Sequence, residues 1–399
     1  MRKAAGKVLI GLGIVLVLAA VLWWALAPSA LVKIPKDIDT VIYYEGEYTW
    51  YVHPVTFEPL PEGQETTVPL EIRLNLLSEE DQYDSDTALI SGSVESEVGG
   101  IEMKPAPFAL ALDRRNMMNQ ADPRAYVLSP HMVVDRSGSL SYAFPFGTSR
   151  DGQYSVWKEE IAQPVKVEFI GEEEKEGLTV YDFRGAFENQ EVAMAYIEFL
   201  GLPAALDFGQ FEDILKEIGF DVDDLLALAG QRLSPEDLQA LNQAFSQEMP
   251  LIYYWSSYTE YSVEPATGVI VDGYKNVESV NVKPDLAALA DIAAILMKYQ
   301  QDPVLGPALQ RLASMATQFD DYEGQKLVRY EFKQTEESKK KSIEDAKKGR
   351  AAITFVKIYL PVFALAAGVI LLITGIILLL AGSRSGKEQT KVEAEGPEE

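Results

Sequence analysis

The chain has 399 residues, with 35 Lys+Arg, 61 Asp+Glu, two His and no Cys, and a formal net charge of −26. That charge argues against nucleic acid as a partner, because phosphate would be repelled over most of the surface. The absence of Cys excludes disulfides, zinc–thiolate sites, iron–sulfur clusters and a Cys nucleophile, and His53 and His131 are too few for a His-rich metal site.

The first element is an uncharged run of 20 residues, 8–27 (VLIGLGIVLVLAAVLWWALA), preceded by Arg2, Lys3 and Lys7. About 20 apolar residues cross a hydrocarbon core, and Trp23 and Trp24 stand where indole rings favour the lipid–water boundary. A cleaved signal peptide is the alternative, with Ala25-Leu26-Ala27 as its site. Pro28 follows at once and hinders cleavage, and the apolar core is long for a signal. An uncleaved membrane anchor is the expectation.

Residues 28–334 form an outer domain. The β-branched and aromatic segment 37–52 reads as a hairpin turning at Glu45-Gly46-Glu47. Alternation predicts strands at 66–77, 86–98, 106–113, 124–135, 139–146, 164–171 and 177–187, with Glu172-Glu173-Glu174 as a link. A helical insertion spans about 190–248. Within it Ser234-Pro235-Glu236-Asp237 is a helix start, with Ser as N-cap and Pro at the first position. Strands return at 250–264 and 268–282. A second helical insertion follows at about 284–318, broken at Asp302-Pro303, and then a strand at 326–332.

From Thr335 the pattern is continuous helix. Residues 335–357 form a basic juxtamembrane helix about 34 Å long, carrying Lys339, Lys340, Lys341, Lys347, Lys348, Arg350 and Lys357. These seven are the candidate membrane-surface residues, since each basic side chain near an anionic surface contributes about 1 kcal/mol. Residues 358–381 are an uncharged run of 24, long enough to span.

Two spans give tails at 1–7 and 382–399. Basic residues outside both spans favour cytoplasmic termini, with 28–357 extracytoplasmic. Lysines also precede the second span, but the first span usually sets topology. The charge is partitioned: 28–334 carries −30, 335–357 carries +3, and the tails are near neutral. No Asn-x-Ser/Thr sequon occurs, which together with the absence of Cys suits a bacterial or archaeal envelope. The fold class expected is α+β, an antiparallel sheet or barrel with two helical insertions between terminal transmembrane helices.

Candidate ligand contacts are Phe144 and Phe146 in an aromatic turn, and Leu289, Ile292 and Leu296 on an apolar helical stripe that a hydrophobic ligand would lie beneath. Glu264-Pro265-Ala266-Thr267-Gly268 reads as a β-turn. Asp81/Asp84/Asp86 and Asp221/Asp223/Asp224 do not fit an EF-hand loop. No GxSxG, HExxH or P-loop occurs, so neither an enzyme nor a cofactor is expected. Ala364 and Gly368 form a small-xxx-small pair that would suit a homo-oligomer.

Five stretches together resemble the PorA-type family of actinobacterial envelope proteins, whose activity is not established. They are Leu112-Asp113-Arg114-Arg115; Phe144-Pro145-Phe146 with Tyr154 and Trp157; Gly171-Glu172; Gly177-Leu178 with Tyr181 and Phe183; and Val263-Glu264-Pro265 with Thr267-Gly268-Val269-Ile270. The chain departs from the family's pattern at Arg115-Asn116, where Thr-Gly is usual, and in the length of 190–248. The resemblance implies an envelope protein. The family's label implies a porin, yet a membrane barrel needs many lipid-facing strands, and here helices do the spanning, so a pore would require oligomerisation. The layout also resembles the class B scavenger receptors, which carry hydrophobic ligands. The expected function is binding or transfer of a lipid or other hydrophobic ligand, with membrane lipids as partners. The alternative is an adhesion, sensing or scaffold module whose acidic surface meets a partner or cations.

Overall fold

The computed structural model describes residues 2–53, 59–217, 221–307, 309–310 and 324–392. Helix α1 (Arg2–Leu31) leads into β1 (Asp39–Trp50), β2 (Thr66–Ser78), β3 (Thr87–Val98), β4 (Ile101–Glu102), β5 (Ala106–Asp113) and β6 (Tyr126–Val127). After a long loop come β7 (Tyr154–Lys158), β8 (Gln163–Lys175) and β9 (Leu178–Glu191). Then follow α2 (Met194–Leu200), β10 (Ala205–Leu206), α3 (Phe208–Glu217), α4 (Val222–Arg232) and α5 (Pro235–Phe245). The chain closes with β11 (Met249–Val263), β12 (Ile270–Pro284), α6 (Ala290–Met297), β13 (Gln325–Gln334), α7 (Glu336–Thr354) and α8 (Leu360–Val392). The expected α+β class is observed, and the sheet is a curled antiparallel half-barrel. Its order is β6-β5-β3-β2-β1-β13-β12-β11-β9-β8-β7, with β4 on β3 and β10 on β11.

The first and last strands are therefore neighbours in the middle of the sheet. Segment 37–52 is one strand, not the hairpin its Glu-Gly-Glu suggested. Gly46 is there because the partner strand comes too close for a side chain. A Cβ at Gly46 would lie 1.9 Å from the Glu331 carbonyl oxygen and 2.7 Å from Phe332 Cα. Segment 172–174 is likewise strand rather than link, since it pairs with 179–181. The turn falls one step later, at Glu176 (φ 48°) and Gly177 (φ 81°), the left-handed pair of a two-residue hairpin. Of the strands expected at 124–135 and 139–146, only Tyr126–Val127 is strand. The rest is loop, fixed by contacts such as Asn119 Nδ2 donating to Ser139 O at 3.0 Å.

Helices α3 to α6 share their own core, in which Phe211, Val222, Leu225, Leu241, Ile292 and Leu296 are buried. Ser234 caps α5, accepting from Asp237 N, with Pro235 at the first turn. This module sits at the Met249 end of the long β11–β12 hairpin. Asp302 accepts from Leu305 N and starts the next helical turn; positions 311–318 of the expected insertion lie outside the described residues.

At the other end of that hairpin, α7 lies on the sheet face opposite the aromatic core. Its Ile343 and Ala346 are buried against Leu178, Val180 and Val271. A π turn at Phe355–Tyr359 joins it to α8. Helices α1 and α8 are both long and apolar enough to cross a membrane, and they pack antiparallel. Gly6 meets Gly375 and Gly13 meets Gly368, with a Cβ at Gly13 falling 2.8 Å from the Gly368 carbonyl oxygen. Ala20 and Pro361 are buried in the same rows, so small residues recur every seventh position. That period implies a left-handed pair. Trp23 Nε1 donates to Val356 O at 2.9 Å. Gly368 thus packs against α1 within the chain.

Gly46→Ala is expected to destabilise the protein by about 3 kcal/mol, the upper range of overpacking costs, because backbone rather than a flexible side chain stands in the way. Thr49→Ala on the same strand should cost under about 1 kcal/mol. Denaturant unfolding of the detergent-solubilised chain measures both.

A candidate ligand site in the concavity of the half-barrel

Alternation along the strands sends one set of side chains into the concavity. On β11 this set includes Trp255, Ser257 and Tyr261; on β12, Asn276, Glu278 and Val280; on β7, Tyr154, Val156 and Lys158. Helix α2 closes over part of this face, placing Ile197 in the same core as Tyr253 and Trp255. Tyr196 meets the Trp255 ring edge-on at 5.6 Å. Towards the α7 end the packing leaves a cavity of about 190 Å³, lined by Ile42, Tyr44, Tyr142, Lys158, Glu160 and Tyr261 among others.

The charges around this cavity form two pairs and a remainder. Lys158 Nζ donates to Glu278 Oε1 at 3.2 Å. Glu278 also accepts from Trp255 Nε1 at 2.6 Å and Ser257 Oγ at 2.9 Å. Burial pulls the Lys158 ammonium downward, but Glu278 and nearby groups more than offset it, so it stays charged. Arg136 Nη1 donates to Glu159 Oε1 at 2.8 Å, and Trp157 Nε1 to Glu159 Oε2 at 2.6 Å. Arg136 is 2 % exposed and also donates to the carbonyls of Ala109 and Tyr126. It thereby ties the β5–β6 edge of the sheet to the β7–β8 turn at the opposite edge, across the open side of the half-barrel.

Glu160 is the remainder. It lies in the β7–β8 turn, whose Glu160 carbonyl accepts from Ala193 N at 2.8 Å. Its Oε2 is sealed from solvent and has no hydrogen-bond partner among the described residues. Burial pushes its carboxyl up to about 7; Lys158 pulls the other way, and Glu278 adds to the rise. Burial also raises the phenols of Tyr44 and Tyr142, which stay protonated.

The residues singled out from the sequence lie elsewhere. Phe144 is 1 % exposed and stacks on Phe183 at 4.8 Å, in a core with Leu140 and Val263. Phe146 packs against the β2–β3–β5 core. Ile292 and Leu296 are buried inside the helical module, and Leu289 packs at its edge. These five side chains do not converge on one surface. The apolar stripe is the module's own interior. Two of the family-like stretches do meet. Phe144 N donates to Gly268 O at 2.8 Å and Thr148 N to Pro265 O at 2.8 Å. A Cβ at Gly268 would come 1.8 Å from the Phe144 carbonyl. Glu264 accepts from Thr267 N and Oγ1, closing the β11–β12 turn.

The basic residues of α7 are divided. Lys339 pairs with Asp272 at 3.4 Å, Lys347 with Glu176 at 3.7 Å and Arg350 with Glu264 at 3.9 Å. Lys340, Lys341 and Lys348 are exposed, Lys348 near Asp345 at 3.3 Å. Lys357 sits half-buried in the π turn.

The pattern described as Porin PorA matches residues 5–377, from within α1, across the whole half-barrel, to within α8. The chain belongs to the PorA family. Most of each apolar run falls inside the matched span, and membership of the PorA family suggests an envelope or membrane protein. Comparison with curated proteins finds no match.

Lys158, Glu159 and Glu160 in the cavity wall, and Glu278 paired with Lys158 behind it, were not singled out from the sequence. The available signal was register: Lys158 follows Tyr154 and Val156 at the inward spacing, and Glu278 falls between Asn276 and Val280. A charged residue at an inward position marks a site or a strand end.

Glu160 gives a signed pH dependence. Its folded-state carboxyl is raised above the unfolded value, so its favourable contribution is complete below about pH 4.5 and is lost as pH rises through about 7. Glu160→Gln should therefore raise the melting temperature at pH 8 and change it little at pH 5. Thermal unfolding of the two proteins across that range measures the gap.

Proposed function

We propose that α1 and α8 cross the membrane as an antiparallel pair, with both termini cytoplasmic and the half-barrel outside. In this reading the half-barrel is a non-catalytic ligand-binding domain that holds one end of a small amphiphilic molecule. Length, apolarity and the flanking Arg2, Lys3 and Lys7 support the spans. The exposed sides of both helices are apolar, for instance Val15, Leu22, Phe363 and Ile370, which suits contact with lipid and gives a pore no polar wall.

The observation that carries the binding reading is the cavity itself. Its volume of about 190 Å³ exceeds that of an engineered cavity of about 150 Å³ that binds benzene, but is far too small for an acyl chain. It would take a headgroup. Its wall is mixed, with Ile42, Val156 and Phe332 beside Lys158, Glu160 and Asn276. A hydrophobic tunnel of the scavenger-receptor kind is therefore not the mode proposed. The cavity also lies in the half of the domain nearest α1 and α8, since β1 starts there and β11 ends there. At 1.5 Å per residue, Lys348 is about 15 Å from the start of the second span, whereas Lys340 is about 27 Å away. With a Debye length of about 8 Å, Lys357 is the residue assigned to the lipid surface.

Ile270→Trp would fill the cavity from β12. Native mass spectrometry of the detergent-extracted chain should show a bound small amphiphile on the parent protein. Its occupancy should fall about tenfold in the variant, the equivalent of about 1.4 kcal/mol, with folding checked by thermal unfolding. Equal occupancy in both proteins would remove the cavity from the proposal.

A further inference from the structure

We propose that the cavity is an ammonium site, with Glu160 as the counter-charge and the surrounding aromatic rings as the walls. This rests on the binding reading above and names the chemistry of the ligand.

The argument begins with charge. Three carboxylates, Glu159, Glu160 and Glu278, stand beside two cations, Arg136 and Lys158. Arg136 is matched to Glu159 and Lys158 to Glu278. Each matched carboxylate also accepts an indole N–H. Glu160 alone has no cation assigned to it and no donor on Oε2. Leaving a buried carboxylate so is costly, and Lys158, already paired with Glu278, does not relieve it fully. A ligand that brings a positive charge into the cavity would. An anionic ligand would meet the surplus negative charge instead.

The second observation is the wall. Tyr44, Tyr142, Trp157, Tyr261 and Phe332 line the same cavity. Aromatic faces attract cations through their quadrupoles, and sites for quaternary ammonium ions are built from such rings with a nearby carboxylate. A wall of this kind discriminates charge without many hydrogen bonds, and it tolerates methyl groups on nitrogen. Few polar groups are needed beyond the one carboxylate.

Proton linkage follows. The groups facing Glu160 are Lys158 and Glu159 on its own hairpin and Glu278 on β12. Tyr142, Tyr196, Tyr261 and Tyr330 face it from the β6–β7 loop, α2, β11 and β13, and burial keeps all four phenols protonated. Glu160 is therefore the group that changes charge near neutral pH. A bound ammonium favours its ionised form, so binding releases a proton and tightens as pH rises.

The test uses the full detergent-solubilised chain in a non-ionic detergent, with choline and its uncharged isostere 3,3-dimethylbutan-1-ol as probes, by titration calorimetry at about pH 6 and about pH 8. Choline should bind, roughly tenfold more tightly at the higher pH, and the isostere at least about tenfold more weakly than choline. Glu160→Gln should lose the pH dependence and hold choline at the weaker level. Tyr142→Leu should weaken choline without changing the isostere, which a merely structural role would not do. Dodecyltrimethylammonium separates sources: tighter binding than choline assigns a chain-bearing ammonium, and equal binding a free one. If the isostere binds as well as choline, the ammonium assignment falls and the cavity reading stands. If neither probe binds and Ile270→Trp leaves ligand occupancy unchanged, both fall.

Discussion

Between Gly46 and Glu331 two backbones approach so closely that even a methyl group would have to occupy the position of a carbonyl oxygen. This contact joins the first strand of the sheet to the last. On one side of it, β1 leads outward through β2, β3 and β5; on the other, β13 leads through β12, β11 and β9 to β7. The half-barrel is thus two meanders joined along a single central seam. The same seam continues beyond the sheet. Tyr43 N is held by Ser338 Oγ at the start of α7, Trp23 reaches Val356, and the glycine rows of α1 and α8 close the far end. Strand and helix carry one line of contact, and at its two ends, the Gly46 seam and the α1–α8 rows, glycines let the main chains come together.

The open side of the curl is managed by charge rather than by strands. Arg136 bonds to β5 and β6 and pairs with Glu159 on the opposite margin, so it works as a clasp. Buried ion pairs rarely add net stability, because desolvation offsets attraction. Two such pairs beside one unmatched carboxylate are difficult to explain as packing. An apolar interior of the same volume would serve the fold at least as well. In the proposed reading, the polar lining belongs to what the concavity receives.

Much of the architecture was legible in local pattern. The two apolar runs, the Ser234 cap, the β11–β12 hairpin and the strand at 326–332 all have signals contained within a few residues. What was not legible depended on partners far away. Gly46 resembled a turn because glycine between acids usually is one; the reason for it is Glu331. The acidic run at 172–174 resembled a link until its neighbour strand was known. The stretch 124–146 has strand-like composition but is committed to the clasp and to the Phe144–Gly268 contact. The candidate contacts Ile292 and Leu296 show the same limit, since an apolar stripe does not say whether it faces a ligand or a sister helix. The cavity residues were hidden because their meaning comes from convergence: Glu278 lies more than a hundred positions after Lys158 and Glu160 and meets them only across strands.

The seam has a further consequence for how the protein is made. A ribosome delivers β1 early and β13 nearly last, and the Tyr43–Ser338 contact spans 295 positions. Until β13 emerges, β1 presents an unpaired edge of 12 residues, the kind of edge that recruits other chains. Long-range closure of this kind is slow. In the proposed topology, the waiting takes place outside the cell membrane while the chain is still tethered by α1. Envelope chaperones would therefore meet this protein as a half-finished sheet with one exposed margin, and that margin is where assembly succeeds or aggregates.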